Sequence, residues 1–247
     1  MPCGYLELIF NLEDNSCIFT KRKLMLPQTY LQLIGLIWLA PMLSSDIVVK
    51  SDIKYLALGD SYTIGESVAT DQRWPVQLTN VLRENGKPIG EPTIIATTGW
   101  RTDDLKNAIN NAHLKNEYDL VSLSIGVNNQ YQGKAPDQYA IEFEDLLLTS
   151  IKLAKGIKSN VFVVSIPDYG YTPFGKPKQS EVSKALDHFN QINKTITEKF
   201  GVKYFNITDI SRNGLEQPDL VAGDGLHPSG KMYGLWVQRI AKGLIGK

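Results

Sequence analysis

Cysteine is nearly absent from this chain. Its 247 residues include two, Cys3 and Cys17, and both precede the apolar stretch described below. The rest of the sequence can form no disulfide framework, hold no thiolate metal site and use no thiol nucleophile. Histidine is almost as scarce. His113, His188 and His227 are the three present, none spaced as a helical ligand pair, so a structural zinc site is not expected. A charge surplus is missing as well. Lys plus Arg number 26 and Asp plus Glu 26, a formal net charge of +0, which argues against a polyanionic partner and hence against nucleic acid. There is no internal repeat and no low-complexity tract. With 43% hydrophobic residues the chain is too apolar for disorder, and its length suits one large domain.

An unbroken apolar run long enough to span a membrane is also lacking. The nearest approach is residues 24–43, interrupted by Pro27, Gln28, Gln32 and Pro41. Lys21-Arg22-Lys23 precedes it and Ser44-Ser45 follows. A basic flank, a short apolar core and small residues read as a secretory signal peptide, which implies a secreted or periplasmic protein. An uncleaved membrane anchor and a structural segment are the alternatives. No cysteine follows the run, so a lipid-modified N-terminus is disfavoured. Residues 1–20 sit awkwardly ahead of such a flank, which suggests a natural start at or near Met25. Residues 1–45 are therefore set apart as an N-terminal extension with signal peptide or anchor, and residues 46–247 form the folded domain.

From Asp46 onward, strand and helix patterns alternate. Short apolar runs at 55–58, 93–97, 120–125, 160–166 and 202–207 suit buried parallel strands. Helical spacing is expected at about 73–85, from Thr102 or Asp103 to 113, and over 136–155, 179–200 and 228–244. Five strands interleaved with helices imply an α/β fold, a three-layer sandwich around a five-stranded parallel sheet. The long irregular stretches are 168–178 and 208–227, and long loops in a compact domain are often functional.

The first strand breaks at Gly59-Asp60-Ser61. A glycine there lets the chain turn sharply and exposes a small hydroxyl at the sheet edge, where α/β enzymes place nucleophiles. A serine in a turn is more often a turn former or helix cap, so Ser61 is a candidate only if other residues join it. The second and third strands end at Gly99 and at Gly126-Val127-Asn128-Asn129, on the same edge of a parallel sheet. Near the C-terminus, Asp224 and His227 lie three apart on one turn. There a carboxylate can orient an imidazole that accepts a serine proton. Asp60 is adjacent to Ser61 and is read as holding loops around the site. Trp100 and Arg101 follow Gly99 and are candidates to line the crevice. Tyr169, Tyr171 and Phe174 are candidate acyl-group contacts from the loop after the fourth strand. His113 and His188 fall on helices, as surface or packing residues. Asn193-Lys-Thr and Asn206-Ile-Thr match the glycosylation pattern, which has meaning only in a eukaryotic secretory pathway.

Taken together these blocks resemble the SGNH, or GDSL, hydrolases. Gly59-Asp60-Ser61 with Gly65, then Gly99, then Gly126-Val127-Asn128, then Asp224 to Pro228 match its four blocks in order, over about residues 53–245. One departure is Asn129, where the family often has Asp. The resemblance implies a flavodoxin-like fold and a serine esterase acting on lipid-type or simple carboxylic esters. Ser61 would be nucleophile, His227 base and Asp224 its partner, with Gly99 and Asn128 in the oxyanion hole. It implies no metal or organic cofactor and a small-molecule ester as partner. A carbohydrate O-deacetylase of the same fold and a non-catalytic binding module are the alternatives.

Overall fold

The computed structural model of the chain describes residues 6–11, 16–21 and 52–246. The chain divides into two units, Met1–Val49 and Lys50–Lys247. In the first, β1 (Leu6–Asn11) and β2 (Ser16–Lys21) pair antiparallel, with Leu6 opposite Lys21 and Asn11 opposite Ser16. This pair lies within the stretch set apart from the folded domain. The apolar segment 24–43, read as a signal peptide or anchor, lies outside the described residues.

The second unit is built on β3 (Tyr55–Gly59), β4 (Thr93–Ala96), β5 (Leu120–Ser124), β6 (Val161–Val164) and β7 (Lys203–Phe205). They form one parallel sheet in the order β4-β3-β5-β6-β7, the flavodoxin-like arrangement. Leu56, Leu58, Val121, Leu123 and all of β6 are buried. Successive side chains point to opposite faces, so burial of neighbours in sequence means that both faces are covered. Each fully buried aliphatic side chain contributes roughly 1.5–3 kcal/mol by leaving water. Ser122 and Ser124 are the buried polar residues of β5, and the Ser122 hydroxyl is matched by the Tyr55 hydroxyl at 2.9 Å.

Eight α-helices accompany the sheet among the described residues. Five are long: α2 (Trp74–Glu84), α3 (Thr102–Asn111), α5 (Pro136–Leu153), α6 (Gln179–Lys199) and α8 (Gly230–Ile245). α2 packs on α8, while α5 packs against both α3 and α6. Right-handed crossovers put these two groups on opposite faces of the sheet. The other three are single turns: α1 (Ser61–Ile64), α4 (Val127–Tyr131) and α7 (Thr208–Ser211). All three directly follow, or nearly follow, the C-terminal end of a strand.

Three details differ from expectation. α3 begins at Thr102, but its first turn is held by Asp104, which accepts from the Arg101 N–H at 3.0 Å. α8 begins at Gly230 rather than Pro228, with Ser229 as its cap. Asn193 is buried, and its side chain bonds the hydroxyls of Tyr139 and Tyr204 at 3.2 and 2.9 Å. That sequon is not a surface acceptor, whereas Asn206 is exposed. His113 and His188 are both on the surface.

Candidate active site

β3 ends where only glycine fits. A Cβ on Gly59 would lie 2.1 Å from Thr63 Oγ1 and 2.6 Å from the Ser124 carbonyl. Asp60 then caps α1 by accepting from the Tyr62 N–H at 3.0 Å, which makes Ser61 the first residue of that turn. Asp60 is buried without an ion-pair partner among the described residues. Burial pushes its carboxyl from 3.8 up to about 7, opposed by hydrogen bonds from the Tyr62 and Gly126 backbones. Gly65 closes the turn in the left-handed region, φ 71°.

The other strand ends are fastened to one another. Gly126 has φ 132°, and a Cβ there would meet Tyr139 at 2.7 Å and Ile166 at 2.9 Å. It delivers α4, whose residues 128–130 reach the segment after β4 and the loop after β6. Asn128 Nδ2 donates to the Trp100 carbonyl at 2.9 Å. Asn129 accepts from the Thr102 N–H at 3.1 Å and donates to Thr102 Oγ1 at 2.6 Å. Gln130 accepts from the Tyr169 hydroxyl at 3.0 Å. Arg101 grips Asp103 with two hydrogen bonds, at 2.9 and 2.8 Å, and reaches Gln132 beyond α4 at 2.6 Å.

Asp224 and His227 sit in a tight loop, not a helical turn. Val221 and Pro228 form an antiparallel bridge, and the Ala222 N–H donates to the His227 carbonyl at 2.7 Å. Within it Asp224 Oδ2 is 2.6 Å from His227 Nδ1, while Oδ1 accepts from the backbone N–H of Leu226 and of His227 at 2.9 and 3.0 Å. Desolvation pulls the Asp224 carboxyl up, but its hydrogen bonds outweigh that and hold it well below the usual carboxylate range. Asp224 is thus a fixed anion on one nitrogen of the imidazole.

A cavity of about 300 Å³ collects these residues. Ser61, His227, Gly99 and Asn128 line it, and its apolar wall is made of Val127, Tyr131, Tyr169, Phe174 and Leu226. Ser61 and His227 are 4% and 8% exposed, and the Tyr62 ring lies 5.5 Å from the imidazole between centroids. The Ser61 hydroxyl has no hydrogen bond among the described residues, and such contacts in unliganded sites often tighten only with substrate.

Three expected contacts are not in the cavity wall, and the first, Arg101, is turned to Asp103 and Gln132 instead. The Trp100 ring packs against the core, and the residue serves Asn128 through its carbonyl instead. The Tyr171 ring lies 5.9 Å from the Arg212 guanidinium. Tyr169 and Phe174 do line it, carried by a loop that the buried Asp168 pins to Arg212 Nε at 2.9 Å. Tyr131 went unnoticed in the sequence. It lies three positions after Asn128, the spacing that shares a face on a helical turn, so a signal existed once α4 was recognised. Tyr131, Tyr169 and Phe174 form a triangle with centroid separations of 6.1–6.3 Å.

A family model, that of GDSL-like lipases/acylhydrolases, matches residues 57–235. No curated protein matches the sequence significantly. Among solved structures, TesA superimposes with a TM-score of 0.62 at 14% identity, covering 76% of this chain and 95% of its own. The psychrotrophic esterase EstA from Pseudoalteromonas sp., in a structure inhibited by monoethylphosphonate, gives 0.58 at 17%, covering 76% and 94%. Axe2, an acetylxylan esterase from Geobacillus stearothermophilus, gives 0.61 at 19%, covering 78% and 94%. At such identities the likeness is one of fold.

Proposed function

The chain belongs to the GDSL-like lipase/acylhydrolase family and is a hydrolase acting on esters, and from that premise we propose that it cleaves carboxylic esters through an acyl-serine intermediate. The observation that carries this reading is the convergence of Ser61, the Asp224-oriented His227, Gly99 and Asn128 on one cavity. Ser61 Oγ attacks the ester carbonyl and yields its proton to Nε2 of His227, whose Nδ1 faces the Asp224 carboxylate. The negative charge that develops on the carbonyl oxygen is met by the backbone N–H groups of Ser61 and Gly99 and by the amide of Asn128. One Asn128 N–H is engaged by the Trp100 carbonyl, which aims the other. Each such donor is worth on the order of 3 kcal/mol in the transition state. His227 then gives its proton to the leaving oxygen, and water repeats the sequence on the acyl-serine.

The wall of Val127, Tyr131, Tyr169, Phe174 and Leu226 favours an apolar acyl group, hence lipid-type or simple acyl esters. A second reading, a carbohydrate O-deacetylase, is favoured by the Tyr131 and Phe174 rings, which are 58% and 51% exposed and offer open faces to a sugar. Axe2 has that chemistry by its name. Labelling by a fluorophosphonate, with turnover of short p-nitrophenyl esters, tests the mechanism. Both should vanish in Ser61→Ala; retained turnover would refute the assignment, and a binding module would show neither activity. A panel of lysophospholipid, acyl thioester and acetylated xylan separates the substrate readings. The same proposal has the chain exported, on the basic flank and apolar core of residues 21–43. N-terminal sequencing of the native protein checks the accompanying expectation of a natural start at or near Met25, and a mature start well before Lys21 would refute that start.

A further inference from the structure

The Asp224 carboxylate has two acceptor sites filled on each oxygen. Three of its four donors come from its own loop: the N–H groups of Leu226 and His227 and the His227 ring. The fourth is Ser67 Oγ, which donates to Asp224 Oδ2 at 2.7 Å across 157 positions of sequence. Ser67 is therefore the single donor to Asp224 from outside that loop among the described residues. It is also six residues after Ser61, joined to it by α1 and the Gly65 cap, whose N–H and that of Glu66 both return to the Ser61 carbonyl at 3.0 Å.

Ser67 is exposed, yet its backbone is left-handed, φ 63°. Side chains with a Cβ rarely adopt that region, and a residue held there is over-determined by its surroundings. What the conformation achieves here is to aim the hydroxyl at Asp224. The neighbouring Glu66 carboxylate is engaged elsewhere, by the Thr98 hydroxyl beside Gly99. Besides His227, no charged side chain hydrogen bonds Asp224 among the described residues.

We propose that Ser67 is a positioning residue for the reaction: its hydroxyl clasps the loop that carries the nucleophile to the rigid Asp224–His227 pair and so sets where the base stands relative to Ser61. The proposal rests on the serine-esterase reading above. Loss of the clasp should slow proton transfer from Ser61 without weakening ground-state binding, so kcat falls while KM holds. It also leaves the Asp224 charge less shared, so the acidic limb of the kcat/KM profile moves to higher pH.

The experiment compares Ser67→Ala, Ser67→Gly and Ser67→Asn in the full chain, with a p-nitrophenyl ester as substrate. Wild-type labelling by fluorophosphonate at Ser61 establishes the underlying reading first. If that labelling is absent, it is the esterase assignment that has failed. With labelling established, Ser67→Ala should lose on the order of tenfold in kcat, the effect of one charge-assisted bond at a site that water partly reaches. Ser67→Gly relieves the backbone but supplies no donor, so it should be as slow as Ser67→Ala while unfolding no more easily than wild type. Asn tolerates a left-handed backbone and brings an N–H, so Ser67→Asn should recover most of the rate and return the acidic limb. Wild-type kcat and pH profile in folded Ser67→Ala would overturn the proposal. So would full activity in Ser67→Gly, which would mean that backbone shape, not the hydroxyl, matters.

Discussion

Replacing the Asp60 carboxylate by an amide separates its charge from its hydrogen bonding. Asp60→Asn keeps an oxygen to accept from the Tyr62 N–H and is a close match for the protonated acid. In the folded chain the carboxyl titrates near 7 instead of 3.8, so between those values the folded state binds a proton that the unfolded state has released. Stability from this group therefore falls as pH rises from about 4 to about 7 and is level above that. At about 1.4 kcal/mol per pH unit, the difference grows to a few kcal/mol. Urea unfolding from pH 4 to 8 should show Asp60→Asn gaining steadily on wild type across that window. Parallel curves would mean that Asp60 stays ionised throughout. Asp224 has the opposite sign. Its depressed carboxyl contributes stability that is fully present above about pH 4 and is lost progressively as pH falls from there through the depressed folded value.

At the scale of elements, α4 shows why this chain has Asn129 where the family often has Asp. The Thr102 hydroxyl has one proton, which it donates to Glu142 of α5. Its oxygen can then only accept, and Asn129 Nδ2 supplies the donor while Asn129 Oδ1 takes the Thr102 N–H. An aspartate would face the same oxygen with a second carboxylate contending for that single proton. Asn129→Asp should destabilise the fold by about 1–3 kcal/mol, the scale for a buried group left without its partner. The deficit should shrink as pH falls and one carboxylate protonates. Thermal unfolding of the variant at pH 5 and pH 8 checks this, and an equal loss at both would put the cause elsewhere. The five strands and long helices were legible because apolar runs and helical spacing extend over enough residues to form a pattern. α1, α4 and α7 were not, since a single turn offers no period to read. Candidate site residues supplied by strand ends, such as Ser61, Gly99 and Asn128, came with that topology. Clasps such as Ser67 to Asp224 did not, because a contact between distant loops leaves no mark on either local sequence.

For the whole molecule, the sheet order places the diverging connections of β3 and its neighbours β4 and β5 at one edge. The loops after those strands line the cavity together with Tyr169 and Phe174 from the loop after β6 and Leu226 and His227 from beyond β7. All of this belongs to the unit Lys50–Lys247, whereas the hairpin of β1 and β2 lies in the other. A chain begun at Lys50 should unfold in one cooperative transition and react with fluorophosphonate at the wild-type rate. A molten or inert product would show that the first unit is needed for the second. The expected boundary after residue 45 falls a few residues before the division at Val49.

The order in which the parts occur along the chain has a consequence for synthesis. Ser61 is on the first strand of the sheet and His227 comes after the last. Under the proposed serine mechanism, a polypeptide emerging from the ribosome that had assembled every strand would still lack the group that deprotonates its serine. On that proposal reactivity would switch on only with the final stretch of translation, and a truncated nascent chain would be inert toward the esters around it.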